Sequence, residues 1–173
     1  MPYLSDTQIE LVNPDIIKRG IRFAVFDFDG TVSLIREGWQ GIMIPMMVDI
    51  LAETPTRETR DELNTVVVDF VDRLTGRQTI YQMIRLAEEV VRRGGLPEEP
   101  LVYKHRYHDM LWERIEGRIT SLKNGTLSPE SLMVPGVERM LKALRSRDVI
   151  LFLASGTDLT YVQEEVAALG VVS

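Results

Sequence analysis

The 173-residue sequence contains no cysteine, which excludes disulfides, thiolate metal sites and thiol nucleophiles. It also has no excess of positive charge, since 26 acidic residues outnumber 20 Lys and Arg for a net charge of −6. Such a chain offers no basic field to nucleic acid or to an anionic membrane. No apolar run reaches the roughly 18 residues that span a bilayer, and the first residues lack a signal-peptide core. These absences predict a soluble cytoplasmic protein without a nucleic-acid or membrane partner.

Two short apolar segments, Ile21 to Phe28 and Val149 to Ser155, have the length and composition of buried strands. Between them, helical spacing from about Gly38 to Asn124 predicts four helices. A further amphipathic helix precedes the second strand, and another helix follows it. Alternating strands and helices predict an α/β fold with a parallel sheet and right-handed crossovers.

Two carboxylates stand at the end of the first apolar segment, in the sequence FAVFDFDGTV. Burying an unpaired carboxylate is costly, so Asp27 and Asp29 are expected where the strand leaves the sheet, which is where parallel sheets bind ligands. An oxygen-rich site of this kind suits Mg²⁺. One acid can attack a phosphoryl group and the other can exchange a proton with the leaving group. Thr31 is expected to fix the loop or the second acid by a hydrogen bond, and Gly30 gives the chain room to turn.

The segment DFDGT at 27–31 resembles motif I of the haloacid dehalogenase (HAD) superfamily, in the DxDGT form of its phosphatases. LFLASGT at 151–157 is similar to motif II of that superfamily, and the preceding PGVERMLKAL resembles phosphoglycolate-phosphatase-like members. The resemblance implies a Rossmann-like core with an inserted all-helical C1 cap. It divides the chain into a lead-in at 1–20, a partial core at 21–36 and 126–173, and a cap at 37–125.

This resemblance also implies roles for individual residues. Asp27 would be the nucleophile that becomes an aspartyl-phosphate, and Asp29 the general acid and later the general base. Ser155, the backbone N–H of Gly156 and Thr31 would form the phosphate site. Asp27 and the main-chain carbonyl of Asp29 would bind Mg²⁺. The implied reaction is Mg²⁺-dependent hydrolysis of a small phosphorylated metabolite.

In similar enzymes a loop between cap helices selects the substrate, and here that loop is predicted at 75–79. Arg77 and Gln78 are the candidate substrate contacts, although a polar helix cap explains them equally well. Arg36 and Trp39 follow motif I closely enough to face the cleft, with packing between cap and core favoured for Trp39. His105 and His108 have the i, i+3 spacing of a possible zinc site, but the sequence offers no third ligand. Both are therefore expected at the surface or half-buried.

The resemblance also requires a motif III lysine and motif IV acids after motif II, but fewer than twenty residues follow it. Asp158, Glu164 and Glu165 lie in or near the next predicted helix, so no candidate for either motif is found. The expectation is an N-terminal piece of a longer phosphatase, with an incomplete sheet that exposes apolar edges and favours self-association. Two alternatives stay open: a phosphomutase of the same superfamily, and a non-catalytic phosphate-binding or regulatory module.

Overall fold

The computed structural model describes residues 20–171 together with residue 3 and residues 8–10 and 12–13. Most of the predicted lead-in at 1–20 therefore lies outside the described residues. The described chain contains strands β1 (Phe23–Asp27) and β2 (Ile150–Ala154) and a 3₁₀ turn at Pro129–Leu132. Its helices are α1 (Gln40–Ala52), α2 (Arg60–Leu74), α3 (Thr79–Arg92), α4 (Pro100–Lys123), α5 (Val137–Arg145) and α6 (Leu159–Ala168). The predicted order of strands and helices is confirmed, with each strand shorter than predicted.

The two strands pair in parallel, with Phe23 opposite Ile150 and Asp27 opposite Ala154. This register aligns the carboxyl ends of both strands, so the loops that follow Asp27 and Ala154 leave the same edge of the sheet. The first loop carries the predicted motif I and the second carries motif II. The sheet thus brings together two sequence segments that lie more than a hundred residues apart.

One face of this small sheet is uncovered in the described structure. Val25 on β1 is 68% exposed and its register partner Phe152 on β2 is 51% exposed. The opposite face carries the half-buried Phe26 and Leu151, which pack against the hydrophobic core. The predicted exposure of apolar strand residues is confirmed, and it concerns a whole face as well as the edges.

Helices α1–α4, residues 40–123, form one packed segment that we call the four-helix segment. Helix α1 packs on α2, α2 on α3, and α3 on α4. Apolar side chains recur at helical spacing and are buried between the helices, among them Met47, Leu51, Val67, Phe70, Met83, Leu86 and Leu111. Helix α2 begins with a capping box between Thr59 and Glu62 and is followed by Gly76, whose φ of +86° suits a glycine C-cap. No helix in the described part of the chain is long and apolar enough to cross a membrane.

Candidate active site

The loop after β1 is held by its own backbone. The Phe28 carbonyl accepts hydrogen bonds from the N–H groups of residues 31–33 at 3.3, 2.9 and 2.9 Å, and the Phe28 side chain is fully buried. Gly30 has a φ of +77° and donates its N–H to the Ser33 carbonyl at 2.9 Å. A positive φ of this kind favours glycine, which explains the Gly in the motif. The loop therefore holds Asp27 and Asp29 at the carboxyl edge of the sheet.

Asp27, the last residue of β1, is an exposed side chain that faces a cavity. The Thr31 hydroxyl donates a hydrogen bond to Asp27 Oδ2 at 3.2 Å. The predicted hydrogen bond from Thr31 is thus present, but it reaches the first acid of the motif rather than the second. It engages Oδ2 of Asp27, whereas Oδ1 forms no hydrogen bond with a described residue.

Asp29 is held by the loop after β2. Its Oδ2 accepts hydrogen bonds from the hydroxyls of Thr157 at 3.0 Å and Ser155 at 3.4 Å. Its Oδ1 is buried and has no hydrogen-bond partner among the described residues, with Arg36 Nε 3.8 Å away. The Ser155 hydroxyl in turn accepts a hydrogen bond from the Thr157 N–H at 3.0 Å. The hydroxyls of Ser155 and Thr157, in the predicted motif II, thus position Asp29, the second acid of the predicted motif I.

Behind Asp29 lies a buried ion pair between Arg36 and Glu165. Arg36 donates from Nε at 2.9 Å and from Nη2 at 2.6 Å to Glu165 Oε1, and the two side chains are 11% and 1% exposed. Burial raises the pKa of the Glu165 carboxyl, and the bond to Arg36 opposes that rise. Burial alone would lower the pKa of Arg36, but the hydrogen bond and charge of Glu165 outweigh burial and raise it. The guanidinium therefore stays charged beside Asp29.

A cavity of about 150 Å³ lies between the loops after the strands and the four-helix segment. The loop between α2 and α3 closes one side of it and touches Gly156. A Cβ added to Gly156 would lie 2.8 Å from the Arg77 carbonyl oxygen. Glycine is therefore required at this close approach of two backbones. The wall is formed by Asp27, Asp29, Arg36, Trp39, Met43, Thr75, Gly76, Arg77, Thr79, Gln82, Tyr107, Gly156 and Thr157.

The predicted site residues fall into two groups. Asp27, Asp29, Gly156 and Arg77 all line the cavity, whereas Thr31 and Ser155 reach it through their hydrogen bonds to the acids. Arg36 and Trp39 line it as well, and Trp39 also packs against the hydrophobic core. The predicted loop at 75–79 is confirmed between α2 and α3, with Thr79 already the first residue of α3.

Three other candidates lie away from the cavity wall. Gln78 is exposed, and only its backbone approaches Gly156. His105 is exposed, whereas His108 is half-buried and stacks on Tyr161 with ring centroids 3.9 Å apart. Burial lowers the pKa of His108, and the charge of Arg36 lowers it further. These two histidines belong to no metal-binding cluster in the part of the chain that the structure describes.

Four residues of the site were not identified from the sequence. Thr157 is the last residue of the predicted motif II, although no role was assigned to it from the sequence. Glu165 lies on the buried stripe of α6 with Val162 and Val166, and an acid in an apolar stripe indicates a buried partner. Gln82 and Tyr107 are buried in α3 and α4, where their helical spacing resembles that of ordinary core residues.

The acid pair is compatible with a divalent cation. The side chains at this edge offer only oxygen donors, and Asp29 Oδ1 is a buried carboxylate oxygen that no described residue satisfies. No group of three or more His, Asp or Glu side chains with metal-binding geometry occurs within residues 20–171 or the other described positions. The protein would thus supply few ligands, and water would supply the others. Mg²⁺ commonly binds in this way, whereas metals such as zinc and copper favour nitrogen or sulfur ligands from the protein.

Comparisons with known proteins detect similarity in structure only, since no family model and no curated protein sequence matches the chain. A crystal structure of a predicted phosphoglycolate phosphatase from Haemophilus somnus 129pt superposes with a TM-score of 0.52 at 16% identity, over 87% of this chain and 58% of that one. A HAD family hydrolase from Deinococcus radiodurans R1, solved with bound phosphate and sodium, gives a TM-score of 0.36 at 18% identity. It covers 88% of this chain and 55% of that one, and its TM-score is too low to carry weight.

The chain therefore spans little more than half the length of these two structures. Its mixed α/β architecture, with a small parallel sheet and helices between the strands, is that of an incomplete Rossmann-like core. From this superposition, with the two motif segments at the carboxyl edge of the sheet, we conclude that the chain shares the α/β fold of the Haemophilus somnus structure.

Proposed function

We propose that this chain carries the active site of a phosphatase that hydrolyses a small phosphomonoester through an aspartyl-phosphate on Asp27. The single observation that supports this most is the placement of the two acids. Asp27 opens onto the cavity at the end of β1, and Asp29 lies beside it, held by hydroxyls from the loop after β2. The HAD-like fold supports a phosphatase-type hydrolase in general.

In the first step, Asp27 Oδ1 attacks phosphorus and the bond from phosphorus to the alcohol oxygen breaks. Asp29 gives its proton to the departing alkoxide, so that a neutral alcohol leaves. In the second step, water attacks phosphorus, Asp29 takes a proton from that water, and phosphate leaves as the Asp27 carboxylate is restored. The hydrogen bond from Thr31 engages Asp27 Oδ2 and leaves Oδ1 as the attacking oxygen.

Asp27 and the main-chain carbonyl of Asp29 would hold Mg²⁺, which supplies positive charge to the phosphoryl oxygens when bound. Further positive charge on the cavity wall comes from Arg36 and Arg77. The N–H of Gly156 and the Ser155 hydroxyl are proposed to contact the phosphoryl oxygens. The loop that carries Arg77 is proposed to close over the site from the cap and to exclude water, since this loop already lies against Gly156.

One observation favours a second candidate, a phosphate-binding module without turnover. The cavity wall contains no lysine, and the described residues contain no cluster of three metal-binding side chains. Such a site can bind a phosphoryl group through Arg36, Arg77 and the N–H of Gly156 and still lack the charge that catalysis requires.

Phosphate release separates the two candidates. The chain and its Asp27→Asn variant are incubated with a panel of small phosphomonoesters, with and without Mg²⁺. The phosphatase proposal predicts Mg²⁺-dependent release that falls by at least about 10³-fold in Asp27→Asn, because the nucleophile is lost. Equal release by both proteins, or phosphate binding without release, contradicts the proposal, and the second outcome supports the binding module.

A further inference from the structure

Two largely buried polar side chains in the four-helix segment line the cavity and form no hydrogen bond with a described residue. Gln82 on α3 is 4% exposed and Tyr107 on α4 is 6% exposed, and both line the cavity. Neither the Gln82 amide nor the Tyr107 hydroxyl forms a hydrogen bond with any described residue. The other buried side chains with polar atoms in the described chain, Ser33, Glu89, Tyr103 and Glu165, each form at least one hydrogen bond, although Glu165 Oε2 has none.

The buried side-chain atoms without a partner in the described structure are Asp29 Oδ1 and Glu165 Oε2, so the polar ends of Gln82 and Tyr107 are accessible from the cavity and can pair with a ligand. Together, Gln82 and Tyr107 offer the cavity both hydrogen-bond donors and acceptors. Both are neutral, so they match the hydroxyl groups of a ligand better than they match a second anionic group. The acids belong to the sheet side of the cavity, with Asp27 at the end of β1 and Asp29 on the loop that follows it.

The cavity wall on the side of the four-helix segment also carries the polar side chains of Thr75, Arg77 and Thr79 and two apolar side chains. The apolar ones are Trp39, which directly precedes α1, and Met43 within α1. An aromatic face and a thioether pack against C–H groups, whereas the amide and the phenol hydroxyl pair with O–H groups. Carbon chains that carry several hydroxyls present both kinds of group at once.

We infer that the substrate is the phosphomonoester of a polyhydroxylated alcohol, a phosphorylated polyol or sugar, whose hydroxyls are bound by Gln82 and Tyr107. This inference rests on the proposed function, since it names the leaving group of that reaction. Gln82 and Tyr107 are specificity residues in it: they bind the alcohol portion, and the residues at the carboxyl edge of the sheet bind the phosphoryl group.

The test compares matched ligands that differ only in hydroxyl groups, by calorimetric binding in the presence of Mg²⁺ to the full chain carrying Asp27→Asn, which removes the proposed nucleophile and so prevents turnover during the titration. Glycerol phosphate is compared with propyl phosphate, and erythritol phosphate with butyl phosphate, while phosphoglycolate represents an anionic leaving group. We expect each hydroxylated ligand to bind at least about tenfold more tightly than its alkyl partner, because the buried amide and hydroxyl gain partners. Equal binding within a pair, or tighter binding of phosphoglycolate than of glycerol phosphate, overturns the inference.

Two substitutions sharpen this test. Gln82→Leu and Tyr107→Phe are each expected to reduce the preference for the hydroxylated ligand by about tenfold while binding of the alkyl partner changes by less than about twofold. The matched controls are Gln163→Leu and Tyr81→Phe, which make the same changes at exposed helix positions away from the cavity. A variant that weakens both ligands of a pair equally contradicts a specificity role.

The binding assay tests the inference about the substrate, and the phosphate-release assay tests the proposed function, so either can be contradicted without the other. Hydroxyl preference without release that depends on Asp27 would leave the inference standing and overturn the proposed function. Release without hydroxyl preference would do the reverse.

Discussion

The cavity has a sheet side and a helix side, formed by the loops after the strands and by the four-helix segment. The two sides differ in how their polar groups are hydrogen-bonded. On the sheet side, Asp29 receives two hydroxyl hydrogen bonds and Asp27 receives one. On the helix side, the side chains of Gln82 and Tyr107 are largely buried, line the cavity and form no hydrogen bond with a described residue. The difference indicates that most hydrogen bonds of the sheet side form before a ligand arrives, with Asp29 Oδ1 left open, whereas the polar groups of the helix side are left for the ligand.

The largest expected effect is on the sheet side, for Asp29→Asn. We expect turnover of an alkyl phosphate to fall by about 10²–10⁴-fold, because the departing alkoxide loses its proton donor. With p-nitrophenyl phosphate the loss should be much smaller, since that leaving group departs without a proton. Steady-state rates with both substrates check this, and an equal loss with both would contradict the general-acid role of Asp29.

The next effect concerns the ion pair that supports Asp29. Arg36→Met leaves the carboxylate of Glu165, 1% exposed, without its partner, and we expect the free energy of unfolding to fall by about 3–5 kcal/mol. The double variant Arg36→Met/Glu165→Leu should recover much of that loss, because no buried charge remains. Urea denaturation measures both. If the double variant is as unstable as the single one, the cost arises from lost packing and not from an unpaired charge.

A smaller effect is expected where the two walls meet. Gly156→Ala places a Cβ 2.8 Å from the Arg77 carbonyl oxygen, so the loop between α2 and α3 must move. We expect kcat/KM to fall by about tenfold to a hundredfold while the fold is retained, because a displacement of the order of 1 Å disturbs positioning. Gly117→Ala is the control, since an added Cβ there meets open space in α4. Equal kinetics for the two variants would show that the contact has no role in the site.

The smallest expected effect is a pH dependence of stability from His108, which connects α4 to α6 by stacking on Tyr161. Because burial lowers the folded-state pKa of His108 below its usual 6.5, the unfolded chain takes up a proton first as pH falls. This contribution to stability is present above about pH 6.5 and is lost as pH falls through that value. Arg36 and Lys104 disfavour protonation of His108, and Asp109 and Asp158 favour it.

We expect Tm to fall by no more than about 2 °C from this group between roughly pH 7.5 and pH 5.5, since the ring is partly exposed and its charges are screened. His108→Gln should flatten the pH dependence, whereas His105→Gln, at an exposed position of the same helix, should not. An unchanged pH dependence in His108→Gln would mean that other groups cause the acid loss.

The sheet side of the site could be predicted from the sequence because its residues are neighbours in the chain. The end of β1 is marked by Asp27, Asp29 and Gly30, and the end of β2 by Ser155 and Gly156, so local composition places both loops. The helix boundaries near Gly76, Gly94 and Asn124 were also marked by C-cap residues.

The helix side could not be predicted, because it depends on how four helices pack. Gln82 and Tyr107 lie on different helices, and nothing in the spacing of either helix indicates that their polar ends meet one cavity. Gln78 was a candidate from its place in the loop, with a polar helix cap as the alternative, and its side chain is exposed outside the wall. Glu165 was set aside because it follows no strand, and only the fold brings it to Arg36.

The most direct test of the central claim is to trap the covalent intermediate. After rapid acid quench of the chain with substrate and Mg²⁺, tryptic peptide 23–36, which contains both acids, is analysed by mass spectrometry with fragmentation. The account predicts one phosphoryl group on Asp27 that hydroxylamine removes and that Asp27→Asn lacks. A phosphoryl group on Asp29 or elsewhere, or phosphate release without any acyl phosphate, would contradict it.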